Sequence, residues 1–233
     1  MSGYLVEAVN LTKKFGSVTA LDNFNISLPK GQIIGLLGPN GSGKSTLIKL
    51  AMGMLQPSEG RILINGLAPC PETKAITAYL PDANFLTEWM RVEQAVAYSA
   101  DFFEDFNREK AEMMLDRLGI RMKQKIKALS KGNKEKLSLI LTMAREAKLY
   151  ILDEPIAGVD PAARDFILDT VMRNKPEGST ILVCTHLIAD VEPVLTHALF
   201  LNRGVLVLNE NVESVRSSTG KSLDELFREE FRW

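Results

Sequence analysis

Apolar and polar positions alternate in two stretches near the start of the chain, residues 4–9 and 25–28. Side chains of a strand point alternately to its two faces, so this alternation predicts two antiparallel strands with one buried face each. Residues 32–37 are apolar almost throughout and end at a glycine-rich turn, which is typical of a strand buried on both faces. Helical spacing follows over residues 46–54. The start of the chain therefore predicts strand, loop and helix.

Helical spacing dominates from residue 89 to residue 128, with Val92, Ala95 and Val96 on one predicted face and Met113 and Met114 on another. Further along come an apolar strand at 149–152, a helix at 161–172 that begins with a proline, a strand at 180–184, a short helix, and a hairpin that turns at 202–204. Strands that alternate with helices predict an α/β fold with a mainly parallel sheet. The helical segment is then a lobe inserted into that core.

The predicted organisation is an α/β core with an antiparallel β subdomain (1–88 and 137–216), an α-helical lobe (89–136) and a C-terminal amphipathic helix (217–233). The last of these has Leu223, Leu226, Phe227 and Phe231 on one face. That face could pack on the core or contact another subunit, and the pattern alone leaves both possibilities open.

Composition narrows the classes of protein to consider. The chain has 233 residues, 45% of them hydrophobic, and its 28 Lys and Arg against 29 Asp and Glu give a net charge of -1. We expect no nucleic-acid partner, because no overall positive field is present. Cys70 and Cys184 lack metal-ligand spacing and are expected to be reduced. No apolar run approaches the ~20 residues that cross a bilayer, so we expect a soluble, cytoplasmic protein.

A phosphate-binding loop is the first motif that implies chemistry. Residues 38–45 read GPNGSGKS and fit the pattern GxxxxGK[ST], between a predicted buried strand and a predicted helix. In that place backbone N–H groups and the helix N-terminus can surround phosphate groups. We expect Lys44 to reach the β- and γ-phosphates of a nucleotide and Ser45 to bind Mg²⁺. The predicted nucleotide-binding residues of the loop are Gly38, Asn40, Gly41, Ser42, Gly43, Lys44, Ser45 and Thr46.

Two adjacent carboxylates, Asp153 and Glu154, follow the apolar strand 149–152 at the edge where open α/β sheets bind ligands. Because successive strand side chains point to opposite faces, the two are expected to have different roles. Asp153 is suited to hold Mg²⁺ and Glu154 to act as the general base on a water molecule. The alternative is a Glu154 that only caps the next loop.

The order of these motifs resembles that of the ABC (ATP-binding cassette) ATPase family, over residues 6–208. Lys14-Phe15-Gly16 resembles the family's A-loop, which implies that Phe15 stacks on adenine; a core phenylalanine is the alternative. Thr185-His186 resembles the family's switch histidine, which implies that His186 contacts the γ-phosphate as part of the catalytic machinery. The residues after strand 75–80 occupy the place of the Q-loop, where Asp82 replaces the usual glutamine. Asp82 is either a metal-sensing acid or a turn former that hydrogen-bonds its own backbone.

Residues 129–133, LSKGN, occupy the place of the family's LSGGQ signature and depart from it at Lys131 and Asn133. In the family this loop meets the nucleotide on the opposite subunit, so the resemblance implies that Ser130, Lys131 and Gly132 contact ATP in a head-to-tail dimer. Asp160 resembles the aspartate of the D-loop, which crosses the same interface. Around the signature, residues 121–136 contain seven basic residues and one acid. This basic segment is a solvated face or an attraction for ATP.

The predicted function is that of the ATP-binding and ATP-hydrolysing subunit of an ABC transporter. It needs ATP and Mg²⁺, a second ATPase subunit, with a homodimer expected, and separate membrane-spanning permease subunits that hold it at the inner face of the cell membrane. Lys131-Gly132 resembles bacterial exporters of peptides, so export is expected. A non-transport ABC ATPase is the alternative. Large apolar residues at 85–90 suggest a groove for a helix of the permease, unless they pack within the lobe.

Overall fold

The structure is a computed structural model that describes residues 3–231, apart from the side chain of Ala162. Residues 232–233 of the predicted C-terminal helix lie outside the described residues. The strands are β1 Tyr4–Phe15, β2 Val18–Pro29, β3 Ile33–Leu37, β4 Glu59–Ile64, β5 Thr77–Leu80, β6 Leu149–Asp153, β7 Thr180–Thr185, β8 His197–Asn202 and β9 Val205–Asn211. The helices are α1 Lys44–Ala51, α2 Pro71–Ala75, α3 Val92–Phe102, α4 Arg108–Arg117, α5 Lys131–Met143, α6 Pro161–Asn174, α7 Ile188–Val191, α8 Val212–Thr219 and α9 Leu223–Glu230.

Two sheets organise these elements. A three-stranded antiparallel sheet has the order β2-β1-β4, and a six-stranded sheet has the order β5-β6-β7-β3-β8-β9. In the larger sheet all neighbours are parallel except β8 and β9, which form the hairpin. The predicted α/β fold with a mainly parallel sheet and a separate antiparallel sheet is therefore confirmed. Every residue of β3, β6 and β7 is buried, as the continuous apolar runs predict.

Several predicted boundaries were wrong. Strands β1 and β2 are each 12 residues long, because pairing continues through polar, exposed positions that alternation of hydrophobicity does not mark. β4 and α2 were missed because both are short, and β4 begins with three exposed residues. α1 begins at Lys44, two residues earlier than predicted, since Gly43 adopts a left-handed conformation (φ 113°) that turns the chain directly into the helix.

The C-terminal tail packs on the core. Leu223 and Phe231 are buried, and the rings of Phe227 and Phe231 lie 5.5 and 6.1 Å from that of Phe200 on β8. Buried Glu192 adds polar contacts, since its carboxylate accepts hydrogen bonds from Arg216 at 2.9 Å and from the backbone N–H of Asp224 at 3.3 Å. Of the two possibilities left open for the apolar face of α9, the structure therefore supports packing within the chain.

No helix among residues 3–231 is long and apolar enough to cross a membrane.

Candidate functional site

The loop between β3 and α1 has a path that only glycine permits at two positions. A Cβ on Gly38 would lie 2.4 Å from the backbone oxygen of Leu201, and one on Gly43 would lie 2.6 Å from that of Ala20. The turn of the β8–β9 hairpin supports the loop from outside, because the Gly204 N–H donates to the Ser42 oxygen at 2.8 Å. The loop is therefore held in one conformation between β2 and the β8–β9 hairpin.

Two polar side chains of this loop, Lys44 and Ser42, are buried. Lys44 lies inside the loop, where its Nζ donates to the backbone oxygens of Gly38 at 2.7 Å and Pro39 at 3.1 Å. Burial lowers the pKa of Lys44, against an opposing effect of the nearby acids Glu154 and Asp153. The Ser42 hydroxyl is buried and has no hydrogen-bond partner among residues 3–231. A buried cation and an unsatisfied hydroxyl beside a glycine-rich loop fit the binding of phosphate oxygens.

Carboxylates form the opposite wall of the same cavity, which has a volume of about 240 Å³. Asp153 ends β6, and Asp82 belongs to the loop after the neighbouring strand β5. Burial, with further effects of the Asp82 and Glu154 charges, raises the pKa of Asp153 to about 6. The residues that line the cavity are Ala20, Asn40, Gly41, Gly43, Lys44, Ser45, Thr46, Asp82, Asp153 and Glu154. This donor set, a hydroxyl and carboxylates beside a lysine, fits Mg²⁺ bound to phosphate.

Glu154 does not continue the alternation of β6. Its backbone is left-handed, with φ 49°, and its N–H donates to the Cys184 oxygen at 2.7 Å. The strand ends one residue earlier, so Asp153 and Glu154 line one cavity rather than opposite faces of the sheet, as strict alternation predicted. The carboxylate of Glu154 is held by the Thr185 hydroxyl at 2.9 Å and lies 3.0 Å from Nδ1 of His186.

The structure contradicts one of the two roles predicted for Asp82. No side-chain hydrogen bond of Asp82 to its own backbone occurs within residues 3–231, whereas Asn84 accepts one from the Leu86 N–H at 2.9 Å. The side chain that hydrogen-bonds the backbone of this loop is therefore that of Asn84, whereas Asp82 lines the cavity, where its charge raises the pKa of Asp153. The interpretation of Asp82 as a turn former is wrong.

The other predicted nucleotide-binding residues do not line this cavity. Ser130 caps the N-terminus of α5 and accepts from the Asn133 N–H at 3.3 Å, while Asp160 caps α6 and accepts from the Ala163 N–H at 2.9 Å. Lys131 lies beside the Asp160 loop, with its Nζ 3.4 Å from the Gly158 oxygen, and a Cβ on Gly132 would lie 3.8 Å from an Asp160 carboxylate oxygen. Lys131 also lines a neighbouring cavity of about 390 Å³ together with Asp82, Asp153 and Glu154.

Phe15 lies at the end of β1 and is 47% exposed, with Lys13 Nζ 5.1 Å from the centre of its ring. The alternative of a core phenylalanine is therefore wrong.

An apolar groove of about 610 Å³ lies on the other side of the β5 strand end. Leu86 and Met90 pack partly against the core, whereas Phe85 and Trp89 are exposed, Trp89 by 70%. Packing within the lobe thus accounts for Leu86 and Met90, and the docking of a permease helix at exposed Phe85 and Trp89 stays a prediction. The large apolar residues that line the groove are Tyr79, Phe85, Leu86, Trp89, Met90, Tyr98, Phe102, Phe103 and Leu141.

The residue that sequence reasoning missed at this groove is Arg145. Its guanidinium is buried, donates to both carboxylate oxygens of Asp105 at 2.8 and 3.0 Å and to the backbone oxygens of Ala75 and Thr77, and lies 4.1 Å from the Phe103 ring centre. Arg145 therefore joins the start of β5 to the loop after α3. An arginine directly after the mainly apolar run 139–144 was the available signal.

Comparison with known proteins identifies this arrangement. The sequence profile of the family described as "ABC transporter" matches residues 21–157, more than half of the chain. The chain belongs to the ABC transporter family of ATP-binding proteins. ABC ATP-binding subunits hydrolyse ATP, so the predicted activity of an ATP-binding ATPase is confirmed at the level of the family.

Relatives of known sequence and structure agree. The chain is 31% identical to an uncharacterised ABC transporter ATP-binding protein, YhaQ of Bacillus subtilis, over 91% of this chain and 73% of that one. It is 27% identical to the lantibiotic transport ATP-binding protein SrtF of Streptococcus pyogenes, over 96% of each. A solved ATP-binding subunit of an ABC transporter superposes with a TM-score of 0.86 at 30% identity, over 97% of this chain and 98% of that one.

Proposed function

We propose that this ATPase works as one half of a head-to-tail homodimer that hydrolyses ATP with Mg²⁺ and drives export through separate membrane-spanning permease subunits. The observation that supports the hydrolytic role is the single cavity shared by the glycine-rich loop and three carboxylates, Asp82, Asp153 and Glu154. A cationic loop and a wall of acids at one sheet edge are what phosphoryl transfer to water needs.

Within that cavity each side chain has a defined task. Lys44 is placed to bind the β- and γ-phosphates once its contacts with the loop oxygens are exchanged for phosphate oxygens. Ser45, Asp153 and Asp82 would hold Mg²⁺, which when bound neutralises charge on the phosphate oxygens. Glu154 orients a water molecule and takes its proton as the water oxygen bonds to the γ-phosphorus and the bond to ADP breaks. His186, 3.0 Å from Glu154, would fix that carboxylate and contact the γ-phosphate.

Replacement of Lys44 tests the phosphate site. Lys44→Ala should weaken ATP binding at least about tenfold, because the one side-chain cation inside the loop is lost. Lys30→Ala, at an exposed lysine outside the cavity, is the matched control and should bind ATP normally. Isothermal titration with a non-hydrolysable ATP analogue measures both. Equal affinity of the two variants would contradict the assignment.

The proposed homodimer is supported by predicted nucleotide-binding residues that do not line the cavity. Ser130, Gly132 and Asp160 line neither this cavity nor the neighbouring one of about 390 Å³, where Lys131 lies with Asp153 and Glu154. Exposed Phe15 is available to stack on adenine. A nucleotide that lies between the loop of one subunit and Ser130, Gly132 and Asp160 of its partner would use both sets of residues, twice, in a two-fold symmetric pair.

Complementation between two inactive variants tests this arrangement. Lys44→Ala and Ser130→Glu should each be inactive alone. Mixed in equal amounts they should recover about a quarter of the wild-type rate, because half of the pairs are mixed and each mixed pair has one intact composite site. If the nucleotide site lies within one chain, mixing restores nothing.

The groove is proposed as the docking site for a cytoplasmic helix of the permease. Its exposed aromatic side chains and its volume suit an amphipathic helix. With Cys70 replaced by serine, Leu86→Cys and Trp89→Cys should cross-link to the permease in membranes. Val18→Cys, at a position on β2 that is 63% exposed, is the control and should not cross-link. Cross-linking at Val18 alone in an active complex would place the partner elsewhere.

Export is favoured by the Lys131-Gly132 variant of the signature and by the full-length match to SrtF, a lantibiotic transport protein. Another relative, MntA of Synechocystis, belongs to a manganese transport system and is 34% identical over 84% of this chain and 80% of that one. An exporter takes its cargo without an extracellular binding protein. The reconstituted complex should therefore couple ATPase activity to transport with no such protein added, and a strict requirement for one would indicate import.

A further inference from the structure

Five exposed cationic side chains lie near one another in the helical lobe, outside its long helices. Arg91 and Lys125 face each other in an antiparallel bridge, which places opposite side chains on one face. Backbone hydrogen bonds fix the two segments: Val92 N–H to the Gln124 oxygen at 3.0 Å, Ile126 N–H to the Met90 oxygen at 2.9 Å. Exposure alternates along the second segment, with Met122, Gln124 and Ile126 turned inward and the cations outward. We call this surface the basic rim; it comprises Arg91, Arg121, Lys123, Lys125 and Lys127.

The charge of the basic rim is not neutralised within the described part of the chain. None of its five side chains is in an ion pair there within 4.0 Å. The neighbouring acid Glu88 is already paired with Lys134, and its charge also acts on Lys127. In a protein of net charge -1, this is a concentrated local positive field.

Aromatic residues adjoin the basic rim. Trp89 precedes Arg91 by two residues, is the most exposed large apolar side chain among the described residues, and joins the rim to the groove that Tyr98 and Phe102 also line. Exposed Trp and Tyr next to Lys and Arg is the composition of surfaces at the membrane–water interface. Three of the five cations are lysines, which are flexible point charges and suit a diffuse layer of headgroups better than bidentate recognition of one carboxylate.

We propose that the basic rim binds the phosphate headgroups of anionic lipids, so that the subunit touches the membrane surface directly beside its permease. The orientation rests on the proposed function, because the permease helix in the groove would turn this face toward the bilayer. Lipid binding itself needs no permease. An acidic permease segment would meet the same charges, but three of the five cations are lysines, which suit a diffuse layer of headgroups better than fixed contacts with single carboxylates.

Vesicle flotation of the purified full chain tests the proposal. The probes are vesicles of phosphatidylcholine alone and vesicles that also contain phosphatidylglycerol. The protein should bind the anionic vesicles at least about tenfold more strongly, and Lys123→Gln/Lys125→Gln/Lys127→Gln should remove most of that preference. Lys30→Gln/Lys74→Gln/Lys148→Gln removes the same charge from exposed positions elsewhere and should bind within about twofold of the wild type. Both triple variants should keep the wild-type rate of ATP hydrolysis.

Two outcomes would overturn the proposal. One is equal flotation of the wild type with the two kinds of vesicle; the other is equal loss of binding in both triple variants, which would indicate net charge rather than this surface. If the wild type ignores anionic vesicles while the rim variant loses cross-linking to the permease at Leu86→Cys, the surface contacts protein and the lipid proposal is wrong. Failure of the groove cross-link with intact flotation would instead contradict only the proposed docking site.

Discussion

The nucleotide cavity and the apolar groove lie on either side of the loop that follows β5, and they are built by different means. The cavity is small, about 240 Å³, and its walls are mainly backbone and short polar side chains at strand ends. The groove is about 610 Å³, and its walls are large aromatic and aliphatic side chains on α3 and the loop before it. Between the two sites lie β5, which contains Tyr79, and the loop after it, which contains Pro81 and Asp82.

The difference teaches where each site can tolerate change. In the cavity, the left-handed backbone of Glu154 and the closely packed Gly38 and Gly43 hold carboxylates that repel each other close together. This arrangement lowers the stability of the fold. In the groove, shape depends on side chains that can rotate, so its surface can adapt to a partner. We therefore expect substitutions in the cavity to change ATP hydrolysis while the free energy of unfolding stays nearly the same or rises. Substitutions beneath the groove should mainly lower the free energy of unfolding.

The largest effect is expected at the base. Glu154→Gln keeps the size of the side chain and its contact with Thr185 but removes the negative charge that accepts a proton. Turnover should fall at least about a hundredfold while ATP still binds. Phosphate release and nucleotide titration measure the two quantities, and light scattering should show a stable pair of subunits with ATP. Near-normal turnover would remove Glu154 from the mechanism.

Arg145→Met should give the largest loss of stability. It leaves the Asp105 carboxylate without its bidentate partner and the Ala75 and Thr77 oxygens without a donor. We expect the free energy of unfolding to fall by about 3 kcal/mol. Urea denaturation measures it, with Arg108→Met as the control. Arg108 makes an exposed pair with Glu112 and should change stability by less than about 0.5 kcal/mol. Similar losses in both variants would mean that the tie beneath the groove is unimportant.

Asp153→Asn should stabilise the protein when metal and nucleotide are absent. Burial raises the pKa of Asp153 to about 6, so the folded chain holds its charged form unfavourably above that pH. The gain in the free energy of unfolding should be about 3 kcal/mol at pH 8. It should shrink as the pH falls through 6 and vanish near the ordinary pKa of an aspartate, since both states are then protonated. Denaturation in a chelator at several pH values tests this, with exposed Asp101→Asn as the control; a pH-independent gain would contradict it.

The smallest effect is expected at the loop between the two sites. Asp82→Asn removes a carboxylate from the metal side of the cavity, so the Mg²⁺ concentration for half-maximal ATP hydrolysis should rise about two- to fivefold. Asn84→Ala disturbs the turn instead, because it removes the hydrogen bond to Leu86, and should leave the Mg²⁺ requirement unchanged. If both variants behave alike, Asp82 acts through the shape of the loop and not through its charge.

The sequence alone determined the phosphate loop, the buried strands and the α/β class. A glycine-rich motif between an apolar strand and a helix is local, and continuous apolar runs report burial on both faces directly. The family and its ATPase activity also followed from motif order, and the match over residues 21–157 confirmed them. The roles predicted for individual site residues remain predictions.

Only the tertiary structure decided which of these residues share a site. The left-handed turn at Glu154 overrides the strand alternation. Asp82 lies near Asp153 because β5 and β6 are parallel neighbours, with Leu80 paired to Leu152 although 72 positions separate them in the sequence. The tie between Arg145 and Asp105 spans 40 residues, and the hairpin turn at Gly204 reaches Ser42. Such contacts depend on sheet order and chain crossing, which no local spacing of residues encodes. Local chemistry is therefore written in the sequence, and its assembly into one cavity follows from the packing of the strands.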